Sequence, residues 1–140
     1  MLSIFPQLLD YQFFAPTLLR LALAAVFLVH GYPKLFGHFQ ETAGFFESIG
    51  IRPSKFWVIV VGVVECVGGV FLVAGFLVQP VALLLAIDMA VAIWKVKFKM
   101  GFVSGPASPA GGWEFDFVLL IMALSLLVLG PGAYSLDLPL

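Results

Sequence analysis

Six ionisable side chains, Arg20, His30, Lys34, Glu65, Asp88 and Asp116, interrupt or border long hydrophobic stretches of this chain. A charge near the centre of a bilayer costs about 3 kcal/mol on insertion scales, so such groups face a bundle interior, pair with one another or serve a pathway. A histidine and a carboxylate placed together can pass a proton or bind the polar head of a small ligand. The plainer reading is a set of satisfied ion pairs and hydrogen bonds that fix helix register without chemistry. Both readings stand on the sequence alone.

Depth along a helix decides which of these groups can meet. At about 1.5 Å of rise per residue, Arg20 lies roughly 6 Å and Asp88 roughly 12 Å from one membrane face, a gap an arginine side chain can snorkel across. His30 and Glu65 both lie roughly 20 Å from that face, which makes them partners. Lys34 is one turn beyond His30 on the same face, and Asp116 enters the last hydrophobic stretch from the same side. The sequence therefore predicts an Arg20–Asp88 layer and a second layer of His30, Glu65, Lys34 and Asp116, with the His30–Glu65 pair as the candidate for proton transfer. Arg20, Ala24, Phe27, Gly31 and Lys34 line one stripe of the first stretch. Gly62, Glu65, Cys66 and Gly69 line one stripe of the second, with Gly68 beside it. Small residues permit close backbone approach, so this stripe is a packing seam as well as a polar one. Asp88, Ala92 and Lys95 are co-facial in the third.

The elements that must position these groups are legible from composition. The 140 residues are 62% hydrophobic and 11% charged, far from the near-half apolar and quarter-charged balance of a soluble domain. This predicts an all-α fold, an integral membrane four-helix bundle forming a single domain over residues 1–140. Spans are expected at residues 16–36, 56–78, 80–95 and 114–130, and at about 20 residues each they consume most of the chain. Pro16 opens the first span, Gln79-Pro80 separates the second from the third as a tight hairpin, and Gly130-Pro131-Gly132 stops the fourth. Between the first two spans, Glu41–Gly50 (ETAGFFESIG) reads as a short amphipathic turn on the membrane surface. Residues 101–112, rich in Gly, Pro, Ser and Ala, read as a flexible loop. The N-terminus lacks a basic n-region and an A-x-A site and reads as an interfacial segment carrying Phe5, Tyr11, Phe13 and Phe14 rather than a signal peptide.

Basic residues are strongly biased to one side. Lys34, Arg52, Lys55, Lys95, Lys97 and Lys99 share it, which puts that side in the cytoplasm and both termini outside. Cys66 is the only cysteine, so the chain forms no internal disulfide or CxxC pair, and Cys66 reads as a packing residue. No P-loop, nucleotide-binding glycine fingerprint or zinc-spaced cluster appears, and no metal site is expected. His38 lies outside the spans, so a bis-histidine haem has no second ligand. Redox centres would have to come from elsewhere.

Arg20 in the first span, HGYPKLFG at 30–37, VGVVECVGGVFLVAGF at 61–76, DMAVA at 88–92 and GPGAYSLD at 130–137 follow one another in an order that resembles the DoxX family of small four-helix bacterial membrane proteins. The likeness extends over nearly the whole chain, and Arg20, His30, Lys34 and Glu65 match positions characteristic of the family. The resemblance implies a bacterial cytoplasmic-membrane subunit of a quinone-linked or oxidative-stress-related oxidoreductase complex, with quinone as the one small-molecule cofactor expected. It does not carry thiosulfate specificity across, because no thiosulfate-binding motif is present. Expected partners are membrane lipid and either further protein subunits or a second copy of the chain, with no nucleic acid. In the redox reading His30 hydrogen-bonds a quinone oxygen and Glu65 holds the imidazole. In the alternative the chain is a non-catalytic accessory or assembly subunit with structural ion pairs. A small transporter is disfavoured because no inverted repeat is evident.

Overall fold

The computed structural model describes residues 4–105 and 111–137. The chain is all-helical, with no β-strand among the described residues. A 3-10 segment, Pro6–Phe14, leads into α1 (Ala15–Phe36). Then come α2 (Phe39–Ser48), α3 (Ser54–Ala74), α4 (Val78–Ala92) and α5 (Glu114–Leu129), with α4 continued by a π-helical turn, Ile93–Lys97. Helices α1, α3, α4 and α5 form the bundle. α1 packs most extensively on α3 and α4 on α5, while α3–α4 and α1–α5 contacts close the ring.

The glycines explain the α1–α3 seam. A Cβ on Gly69 would lie 2.7 Å from Leu28 Cγ, one on Gly62 2.7 Å from Leu35 Cδ2, and one on Gly31 2.7 Å from Glu65 Cβ. No side chain fits there, so the two backbones approach as small residues allow. Gly68 faces the other way, toward Val81 and Leu85 of α4. The core, which includes Leu23, Phe27, Leu72, Leu85, Leu119 and Leu126, fills the space between the four helices.

The outside is as apolar as the inside. Pro6–Phe36 and Ser54–Ala74 are long and apolar enough to cross a bilayer, and only 33% of each apolar window is buried within the protein. Val29 is 71% and Val128 83% exposed. Such a surface would drive aggregation in water and matches a lipid environment.

Several boundaries differ from the sequence expectation for identifiable reasons. α3 stops at Ala74 rather than Val78 because Gly75 adopts a left-handed cap, φ 68°, the conformation that favours glycine at a helix end. Gln79 and Pro80 are not the break between helices. They lie in the first turn of α4, where the missing proline N–H has no helical partner to lose. The amphipathic segment is a full helix, α2, starting at Phe39 and packing on α3 and α1. Of the expected loop at 101–112, residues 106–110 lie outside the described residues.

Candidate functional site

The end of the bundle that carries the lysines opens into a cavity of about 480 Å³. All four bundle helices, the π turn and α2 contribute to its lining. Its walls are apolar and aromatic, from Phe27 of α1 and Phe46 of α2 to Trp57 of α3 and Phe115 of α5, and its polar groups are His30, Lys34, Thr42, Glu65, Asp88, Lys95, Lys97 and Asp116. Five of the six residues singled out by type and spacing thus surround one space, and Arg20 does not.

Their pairings differ from the expected ones. Glu65, 2% exposed, is held by Lys34, whose Nζ lies 2.6 Å from Oε1 and 2.5 Å from Oε2. His30 is not its partner. Successive residues of an α-helix are turned by about 100°, so when Gly31 faces α3 its neighbour His30 is swung toward α5. His30 is exposed to the cavity, with its ring centroid 6.2 Å from that of Phe115. Asp116 forms an ion pair at 2.7 Å with Lys97. In an uninterrupted α-helix Lys97 would lie about two and a half turns beyond Asp88, on the opposite face; the wider π turn brings it round to the bundle.

Asp88 is likewise not paired with Arg20. Its carboxyl group adjoins that of Glu65, with Lys34 and Asp116 the next charged groups around it. Its Oδ2 atom is buried with no hydrogen-bond donor among the described residues. Among the described residues no group of three or more His, Cys, Asp or Glu is placed to hold a metal ion.

Arg20 instead closes the opposite end of the bundle. Its guanidinium, in a residue only 2% exposed, donates to the Leu72 and Val73 carbonyls at 2.8 Å each, and to those of Ala133 at 3.1 Å and Tyr134 at 2.6 Å. Two of these acceptors are the terminal carbonyls of α3, the negative end of its dipole. The other two belong to the C-terminal tail. Asp137 completes this clasp by accepting from the Leu77 and Val78 N–H groups at 2.8 and 2.7 Å, capping the start of α4. Leu77 and Tyr134 have left-handed backbones, φ 49° and 54°, a strained state for non-glycine residues that persists when surrounding contacts over-determine it. A Cβ on Gly75 would strike Ser135 at 2.6 Å, so the tail lies directly on the α3 cap. Sequence reasoning missed this clasp, although the SLD of residues 135–137 supplied the one available sign, an Asp able to cap a helix.

The profile of the DoxX family matches residues 15–98. "Putative oxidoreductase CatD" of Bacillus subtilis is 36% identical over 120 residues, covering 86% of this chain and 82% of that protein. The uncharacterised membrane protein Rv3486 of Mycobacterium tuberculosis is 35% identical over 125 residues, 85% of this chain and 77% of the relative. The inner membrane protein YphA of Escherichia coli is 29% identical over 134 residues, 91% of this chain and 94% of the relative. No solved structure matches. The family profile spans more than half of the chain and the two nearer of these relatives cover most of it, so the apolar bundle with its lysine-end cavity is a membrane protein belonging to the DoxX family.

Proposed function

We propose that this protein is the membrane subunit of an oxidoreductase complex and that its cavity takes the polar ring head of a quinone. The observation that carries the reading is the cavity itself, about 480 Å³ with apolar walls and His30, Asp88 and the Lys34–Glu65 pair converging on it. Sites for small ligands and cofactors have this size and make-up, an apolar lining with a few placed polar groups. The oxidoreductase name carried by the Bacillus relative supports the same class. A bound quinone would supply two-electron chemistry coupled to protons.

The residues of the chain would do the rest. His30, with no hydrogen-bond partner among the described residues, offers an imidazole that can bond a ring oxygen and pass a proton. Lys34 fixes the Glu65 carboxylate next to Asp88. The Lys97–Asp116 pair continues the polar series toward the lysine-rich end, giving protons a route out of the bundle. In this reading that end faces the cytoplasm and both termini lie outside, as the bias of Lys and Arg favours. In this reading the chain is a single domain and a partner subunit supplies the redox centre.

The test is gentle purification of the chain with its partners, followed by Glu65→Gln. The variant is expected to lose quinone-dependent turnover while the complex still assembles; normal turnover would remove the Lys34–Glu65 pair from the mechanism. A second reading, a non-catalytic accessory subunit, is favoured by one observation: the two ion pairs each tie separate elements, α1 to α3 and the π turn to α5. Buried pairs of this kind can specify register. In that case Glu65→Gln lowers thermal stability or partner recovery with no specific defect toward quinone.

A further inference from the structure

Counting donors and acceptors around the cavity gives an unequal result. Three carboxyl groups, Glu65, Asp88 and Asp116, face it together with Lys34, Lys95, Lys97 and His30. Two of the lysines are committed, Lys34 to Glu65 and Lys97 to Asp116. Lys95 lies over the Trp94 ring, 4.4 Å from its centroid. Asp88 alone of the three carboxyl groups has no lysine paired with it: it lies against the carboxyl group of Glu65, and its buried Oδ2, like Oδ2 of Asp116, has no hydrogen-bond partner among the described residues. A buried acceptor without a donor is costly, and the cost falls away when a ligand brings an O–H or N–H to it. A ligand that brings a carbonyl oxygen instead sets lone pair against lone pair.

We infer that the cavity selects a ring head that donates hydrogen bonds, the dihydroxy form of a quinone over its oxidised form, and that Asp88 is the residue that makes the selection. This rests on the reading of the cavity as a ring-head site. The charged groups around Asp88 reinforce the preference: Glu65 and Asp116 add acceptors, and Lys34 is already engaged by Glu65. The apolar walls, including Phe27, Phe46, Trp57 and Phe115, suit a flat aromatic body. A site built to bond a ligand hydroxyl discriminates strongly against the analogue that lacks it, because its own polar group is then stranded.

Trp57 lines the cavity, whereas the other tryptophans, Trp94 and Trp113, do not. In the W94F/W113F background, purified full-length protein in lipid nanodiscs therefore reports binding through Trp57 quenching. The probes are a dihydroxynaphthalene held reduced under anaerobic conditions, the matching naphthoquinone, and the dimethyl ether of the diol, which keeps the shape and removes both donors. The diol is expected to bind at least about tenfold more tightly than either. Asp88→Asn, which keeps the shape but replaces the carboxyl group with an amide that carries its own N–H donors, is expected to reduce that preference to about twofold or less. Quinone or ether binding as tightly as the diol in the wild-type protein would overturn the inference, and so would a folded Asp88→Asn that keeps the full preference. If the variant does not fold, the wild-type ratio alone decides. Tetraphenylphosphonium, a cation without a donor, displacing the diol at equal concentration would show that charge rather than hydrogen bonding selects, and would also overturn it. Failure of every ring compound to bind natively folded protein would bring down the ring-head reading itself, a result distinct from equal binding of the two forms.

Discussion

Replacing Arg20 with Met removes four hydrogen bonds at once while keeping much of the apolar stem. The guanidinium joins the C-terminal end of α3 to the tail, through Leu72, Val73, Ala133 and Tyr134. Each acceptor left stranded away from water costs about 1 to 3 kcal/mol. The clasp lies at an end of the bundle, so water can reach some of the freed carbonyls, and the lower end of that range applies; the variant is expected to lose about 3 to 5 kcal/mol. For a domain of this size that corresponds to a fall in Tm of roughly 10 °C or more. Arg20→Lys keeps the charge but loses the planar fork that reaches two sets of carbonyls, so it should fall between the two. Thermal unfolding in detergent, followed by near-UV circular dichroism, reads the loss, and limited proteolysis reads release of the tail. Arg20→Met unfolding within a degree or two of the wild type, with the tail still protected, would refute the argument.

Removing Asp137 should act on the same clasp from the other side: Asp137→Ala strips the cap from the Leu77 and Val78 N–H groups and is expected to cost about 1 to 2 kcal/mol in thermal unfolding. Gly69→Ala should destabilise by about 1 to 3 kcal/mol, because its Cβ would meet Leu28 at 2.7 Å and the Ala24 carbonyl at 3.3 Å. Gly44→Ala, with nothing within 4 Å, should be neutral or stabilising by up to about 1 kcal/mol. A double-mutant cycle of Lys34→Met and Glu65→Leu should give a coupling of about 1 to 3 kcal/mol, with the double variant more stable than the single change that leaves Lys34 or Glu65 alone.

The bundle was readable in the sequence because its signal is cumulative. Long apolar stretches, small residues at helical spacing and prolines near helix starts placed all four helices, and Gly31, Gly62 and Gly69 marked the seam that joins α1 to α3. The pairings were less readable, since depth fixes only one of the two coordinates a side chain needs. His30 and Glu65 share a level but not a face, and the buried Gly31 beside His30 already implied as much. Lys97 reaches Asp116 only through the π turn, whose added residue per turn leaves no mark in residue type. Arg20 was least readable of all. Its acceptors are backbone carbonyls, which every residue possesses, and two of them come from a tail more than a hundred positions away.

The most direct test of the central claim is photolabelling of the purified complex with an azido-quinone, followed by mass-spectrometric mapping of the labelled residues. If the cavity is the ring-head site, label should concentrate on Phe46, Val61, Met89 and Phe115, all of which line it, and unlabelled quinone or the Glu65→Gln change should suppress it. Label spread over lipid-facing positions such as Val29 and Val128, and insensitive to competition, would contradict the account.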